Sequence, residues 1–198
     1  MTFEEMASVV ATAHNHGMKV TGHCRALEGC RNALKAGFDT LEHATFIDNE
    51  VLDLILERKT PVVPALYFEQ ASIDNGPAYK MPQSVIDGHK ETLEGGAESA
   101  RRILKSGGRL GMGGDYGFAW NPHGTYAREL TFFVEYVGFT PLEVITCATR
   151  TGAEIVGHGE ELGTLEAGKL ADVLVVPGDV TMNIRLLEDY ENFIAVVS

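Results

Sequence analysis

The sequence predicts an α/β fold built on a parallel sheet, and three observations predict it. Short apolar runs at 18–23, 39–43 and 109–114 each end beside a chemically active side chain. Each run follows a helical stretch closed by glycine, at Gly17, Gly37 and Gly107-Gly108. The segments alternate helix and strand with little chain between them, which is the pattern of repeated β-α units. Lys19-Val-Thr-Gly-His-Cys24 and Thr40-Leu-Glu-His43 finish on histidine, and Arg109-Leu-Gly-Met-Gly-Gly-Asp115 finishes on a carboxylate. As parallel neighbours these strands bring His23, His43 and Asp115 out at one C-terminal rim, where an α/β barrel places its chemistry.

The elements follow in order. Thr2-Phe-Glu-Glu5 has the form of a capping box, so a helix starts at once; Met6, Val9, Val10 and Ala13 give helix 2–16 its apolar stripe. Strand 18–23 comes next, then helix 27–36 and strand 39–43. Helix 48–58 carries Val51, Leu52, Ile55 and Leu56 at helical spacing and leads to Pro61-Val-Val-Pro-Ala-Leu66, whose β-branched run reads as strand 61–66. Asn75-Gly76-Pro77 and Met81-Pro82 mark 68–82 as a loop, long enough for a lid or a binding loop. Helix 83–106 ends in Lys105-Ser-Gly-Gly108 and feeds strand 109–114. An aromatic, glycine-rich loop at 116–124 precedes helices at 125–137, 141–149 and 151–157. The tail changes character: a turn and apolar strand within 163–176, and a second strand at 193–197, form a small β element. The chain therefore divides into residues 1–160 and residues 161–198.

With 198 residues and 44% hydrophobic content the chain can bury a real core. A formal net charge of −12, with no block of Lys/Arg, argues against nucleic acid or an anionic membrane surface as partner and points to a small molecule or peptide. The three cysteines, Cys24, Cys30 and Cys147, lack CxxC spacing and a paired base, so neither a disulfide framework nor a thiol nucleophile is expected, and a reducing cytoplasmic setting fits. Residues 1–20 have no apolar core behind a basic start, and no apolar run is long enough to span a membrane.

Two imidazoles and a carboxylate on strand ends suit zinc or a similar divalent ion and leave room for water. His23 and His43 are the expected metal ligands, with Asp115 as ligand and general base. Taken singly, a strand-end histidine also reads as a side chain hydrogen bonded at the sheet rim. His123 either folds back over the site as a substrate-binding residue or caps helix 125–137. Tyr67, just past strand 61–66, either lines the substrate pocket or packs at the rim. His14-Asn-His16 lies near a helix C-terminus, where positions two apart face different ways, and reads as a solvated pair. His89, on a helix full of charges, is expected to be exposed, and His158 sits in a loop away from the sheet.

Val20-Thr-Gly-His23, Gly37-Phe-Asp-Thr-Leu-Glu-His43, Gly111-Met-Gly-Gly-Asp115, His123-Gly, Thr140-Pro-Leu-Glu-Val-Ile-Thr-Cys-Ala-Thr149 and Leu162-Gly-Thr-Leu-Glu-Ala-Gly-Lys-Leu-Ala-Asp-Val173 together resemble the metal-dependent amidohydrolase superfamily. Within it, the motifs look like those of the imidazolonepropionase-like and Xaa-Pro dipeptidase-like enzymes. The resemblance implies a distorted (β/α)8 barrel of the TIM type with a small β-sandwich made from both chain ends. It matches His23 to the metal histidine of barrel strand five, His43 to that of strand six, and Asp115 to the strand-eight aspartate that binds metal and activates water. His123 matches a histidine that recurs in the following loop. The family's strand-one HxH and strand-four carboxylated lysine would stand ahead of residue 1, so the chain is expected to be the C-terminal half of such a barrel, strands five to eight, with part of the sandwich.

The implied activity is metal-dependent hydrolysis of amide, cyclic amide or dipeptide C–N bonds by metal-activated water, with a divalent metal, zinc first, as cofactor. The alternative is a non-catalytic half-barrel, active only when another chain supplies the missing ligands. An isolated half-barrel exposes sheet edges that invite pairing, so a homo-oligomer or a complementing N-terminal half is the expected partner.

Overall fold

The computed structural model describes all 198 residues, and its architecture follows the chain. Helix α1 (Phe3–Asn15) opens with the capping box in full: the Thr2 backbone N–H donates to Glu5 Oε2 at 2.7 Å and the Glu5 N–H to Thr2 Oγ1 at 3.3 Å. Strand β1 (Thr21–Cys24), α2 (Leu27–Ala36), β2 (Thr40–His43) and α3 (Asn49–Arg58) follow as alternating units. Gly37 ends α2 at φ +100°, a left-handed closure that glycine adopts without a Cβ penalty. Asp48 caps α3 by accepting from the Val51 N–H at 2.8 Å.

β1, β2 and the two-residue β3 (Val62–Val63) form a parallel sheet in that order. Leu110 bridges Val62 as a parallel neighbour on the far side of β3. All four therefore run the same way, and their C-terminal ends share one rim. The helices bury Leu34, Val51, Ile55 and Ile103 against Leu41 and Val62, together with Phe133 and Val144. Each such side chain contributes about 1.5–3 kcal/mol by leaving water.

Four expectations need correction here. Strand 61–66 shrinks to Val62–Val63, and the expected loop 68–82 is mostly helix: α4 (Leu66–Asn75) runs on into a 3₁₀ turn (Gly76–Tyr79). The cause is long-range, because the buried Glu129 carboxylate accepts the Leu66 and Tyr67 N–H groups, both at 2.7 Å, and so caps α4 from 62 residues away. Only the turn chemistry of 76–82 was local. Strand 109–114 contributes a single bridge: Val62 N–H donates to Arg109 O and Gly111 N–H to Val62 O, and beyond these bonds the glycines leave the sheet.

Helix α5 (Gln83–Lys105) matches expectation. α6 (Arg128–Phe132) continues through a π turn (Phe133–Val137). The two helices expected at 141–149 and 151–157 are one continuous rod: α7 (Pro141–Thr146), a π turn (Cys147–Thr151) and α8 (Gly152–Val156), begun by a second complete capping box at Thr140 and Glu143. The tail forms an antiparallel pair, β4 (Val173–Val175) with β5 (Ala195–Val197), separate from the parallel sheet. A cleft of about 930 Å³ lies between this pair and the 124–130 and 145–150 segments. No helix is long and apolar enough to cross a membrane.

Candidate metal centre

His23 leaves β1 and His43 leaves β2 at adjacent positions on the rim. The register pairs His23 with Glu42 and Cys24 with His43. Alternation along a strand then assigns His23 and Glu42 to one face and His43 to the other, with the buried Leu41. The backbone breaks that alternation: His43 and Ala44 sit at φ +72° and +46°. A left-handed conformation costs a non-glycine residue on the order of 1 kcal/mol, and here it turns the His43 ring toward His23.

The outcome is a convergence of three donors. His23 Nδ1 and His43 Nε2 are 2.8 Å apart, His43 Nε2 is 3.3 Å from Asp115 Oδ2, and His23 Nδ1 is 3.6 Å from Asp115 Oδ1. One ligand atom from each residue lies within 4.8 Å of the others. Two imidazole lone pairs do not face each other at 2.8 Å without a positive centre between them, a proton or a metal ion. The set of two imidazole nitrogens and one carboxylate is what a borderline divalent ion takes, so the residues present fit such an ion. His43 is fully enclosed and its Nδ1 has no hydrogen-bond partner, while His23 faces open space. The hydrogen bond from His43 holds the Asp115 carboxyl below the usual range, helped by the charges of His43, His23 and Arg25 and opposed by burial.

Arg25, two residues past His23, was not singled out from the sequence. Its Nη2 donates to Asp115 Oδ2 at 3.2 Å and its Nη1 to Glu69 Oε1, and its guanidinium lies 5.8 Å from the centre of the Phe68 ring. Glu69 on α4 is 2% exposed and also accepts from His89 Nδ1 at 2.6 Å. The reading of His89 as exposed is therefore corrected: its polar helix face turns inward because α4 brings a buried carboxylate against it. Asn121 ties the following loop to the site, its Nδ2 donating to Asp115 O at 3.1 Å and to Gly114 O at 3.4 Å. Proximity in sequence to His23 could have flagged Arg25. Nothing local marks Glu69 or His89, whose partners are on other elements.

The remaining candidates make contacts of their own. Tyr67 is buried on α4, its hydroxyl accepts from Arg128, and its ring meets Phe132 edge-on at 5.5 Å. His123 is exposed beside Gly117 and pairs through Nδ1 with the Tyr126 hydroxyl at 3.0 Å. His14 reaches Asp39 at 2.9 Å and His158 reaches Glu161 at 2.9 Å, both at the surface. All three cysteines are free and buried, and burial pushes the Cys30 and Cys147 thiols up to about 12, so neither offers a thiolate.

Known proteins resemble the chain in sequence and in fold. Residues 1–197 match the amidohydrolase family. The ochratoxinase of Aspergillus niger is 29% identical over 94% of this chain, which covers 38% of that protein. Its crystal structure superposes on the whole chain with a TM-score of 0.86 at 26% identity, covering 44% of the solved chain. A crystal structure of a Xaa-Pro dipeptidase with bound methionine superposes with a TM-score of 0.88 at 31% identity, covering all of this chain and 48% of the other. The imidazolonepropionase of Symbiobacterium thermophilum is 35% identical over 39% of the chain. The chain thus spans under half the length of these relatives.

Proposed function

This chain belongs to the amidohydrolase family, and from that premise we propose that it carries His23, His43 and Asp115 as metal ligands of a hydrolase of amide, cyclic amide or dipeptide C–N bonds. The single observation behind this reading is the convergence of the three donors within 4.8 Å at the rim. Support comes also from the names of similar proteins, a dipeptidase and an imidazolonepropionase. In this reading β1, β2, β3 and the Leu110 strand are barrel strands five to eight. Residues 1–160 are the barrel half, and 161–198 are part of a small sandwich.

A divalent ion, zinc first, would supply Lewis acidity, polarising a carbonyl and easing deprotonation of water. The chain's own residues do the rest. His23 Nδ1 and His43 Nε2 offer lone pairs only when unprotonated, so acid competes with binding. Without an ion the hydrogen bond from His43 holds the Asp115 carboxyl below its usual range; with His43 Nε2 given over to an ion, Asp115 would accept a proton from water on one carboxylate oxygen and return it to the leaving nitrogen. Arg25 fixes the orientation of that carboxylate through its 3.2 Å bond to Oδ2.

A calorimetric zinc titration of the 198-residue chain tests the ligand assignment. About one equivalent is expected to bind, with binding lost in His43→Ala; unsaturable binding, or binding unchanged in that variant, overturns it.

A second reading has its own observation. Leu174, Ile194, Val196 and Val197 of the tail hairpin are all about half or more exposed, beside the 930 Å³ cleft. We infer that this surface and the open edges of the parallel sheet receive a complementing N-terminal half or a second copy, and that hydrolysis of a small molecule or dipeptide requires it. Chelator-sensitive turnover of dipeptides or N-acyl amino acids by the monomeric chain alone would refute that requirement.

A further inference from the structure

Beyond Arg25, the site continues as a row of aromatic rings. Phe68 lies against the Arg25 guanidinium, Phe118 is 5.2 Å from Phe68, Trp120 stacks on Phe118 at 5.1 Å and 29°, and Tyr79 is 5.7 Å from Trp120. Phe118 and Tyr79 are 44% and 49% exposed, although large apolar rings are normally turned inward.

These rings are held in place. Trp120 Nε1 donates to Ser72 Oγ at 3.0 Å, and the Tyr79 hydroxyl donates to Ala119 O at 3.0 Å. The 117–121 loop closes on itself through Gly117 N–H to Asn121 O and Asn121 N–H to Phe118 O, both 3.0 Å. Its base is tied to Asp115 by the Asn121 side chain. A rigid aromatic surface loses little conformational freedom when a ligand lands on it.

Charge decides what lands there. The Arg25 guanidinium contacts two carboxylates, Glu69 and Asp115, so its charge is already compensated and the adjoining surface is not an anion trap. What the surface offers is flat apolar area.

We propose that Phe118, Trp120 and Tyr79, backed by the buried Phe68, form a specificity subsite for a flat, aromatic group on one side of the scissile amide. This deepens the hydrolase reading above and rests on it for the identity of the bond. Offset or edge-on ring contacts favour such a group over a methyl of equal chemistry by roughly 3- to 10-fold.

Trp120 is the sole tryptophan, so its emission reports the subsite directly. The 198-residue chain is titrated with N-benzoylglycine and with N-acetylglycine, which share the amide and differ in the flat ring. Saturable quenching by the benzoyl compound is expected at a midpoint about tenfold below that of the acetyl compound. The midpoint should rise at least threefold in Phe118→Ala and return toward the parent value in Phe118→Tyr. Calorimetry on the same pair gives the midpoint independently of how Phe118 itself affects the emission. Equal midpoints for the two compounds, or an unchanged midpoint in Phe118→Ala, overturn the subsite. The zinc titration is run separately: zinc binding without benzoyl preference fails the subsite alone, and benzoyl preference without zinc binding fails the metal reading alone.

Discussion

Nδ1 of His23 and Nε2 of His43 lie 2.8 Å apart, although strict alternation along paired strands would place the two rings on opposite faces of the sheet. The left-handed backbone of His43 and Ala44 reconciles them. Local strain of this kind persists only where the surroundings impose it, and it concentrates at functional sites.

The two histidines should respond differently to removal. His23 is 67% exposed and His43 is 1% exposed at the side chain. Either alanine variant is expected to weaken divalent-metal binding by more than roughly 100-fold, since removing a ligand exceeds the 10–100-fold cost of losing a supporting partner. Thermal melts of the metal-free chain separate them: His23→Ala should leave the midpoint nearly unchanged, and His43→Ala should lower it by opening a cavity. Equal melts for the two variants would contradict the geometry.

Glu69 joins Arg25 and His89 from a position with almost no solvent access. Glu69→Ala leaves His89 without its partner and Arg25 with Asp115 alone, and a loss of about 1–3 kcal/mol in urea unfolding is expected. Asp115 should then be less firmly placed, so metal affinity falls as well. Breaking a surface ion pair such as Lys90 with Asp87 should leave the unfolding midpoint unchanged in the same assay.

Burial pushes the Glu129 carboxyl up to about 7, against the pull of the Tyr67 and Leu66 N–H groups. The unfolded carboxyl titrates near 4.5, so between about pH 4.5 and pH 7 the folded chain binds more protons than the unfolded one. Stability should therefore fall as pH rises through that window. Glu129→Gln is expected to remove this part of the slope while lowering stability, since an amide cannot accept both helix N–H groups. Urea midpoints at pH 5, 6 and 7 for the two proteins measure it.

The α/β class and the trio were legible because each depends on local pattern. Apolar runs, glycine stops and capping residues sit within a few positions of the elements they govern, as Thr2 with Glu5 and Gly37 after Ala36 show. What was not legible depends on residues far apart in the chain. α4 exists where a loop was expected because Glu129 caps it, and His89 is half-buried because Glu69 lies opposite. The strand before Asp115 reduces to one bridge because consecutive glycines cannot hold a ladder against a partner as short as Val62–Val63.

Glycine-to-alanine substitution should have opposite signs at two positions, and the contrast tests the packing behind His23. A Cβ at Gly22 would meet the Phe38 ring at 2.4 Å from Cε2 and 3.0 Å from Cδ2. Phe38 is buried at 7% exposure, so its ring has no open side to swing into. Either the ring or strand β1 must move, at about 1–3 kcal/mol. A shift of β1 also carries His23 away from His43, so Gly22→Ala should reduce zinc affinity as well as stability. Gly29 lies inside α2 with nothing within 4 Å of its Cβ position. There alanine gains helix propensity without a clash, and Gly29→Ala should stabilise by roughly 0.5–1 kcal/mol with zinc affinity unchanged. Urea unfolding of both variants, with a zinc titration of each, decides the matter. A stabilised Gly22→Ala chain would mean that Phe38 does not back the strand that carries His23.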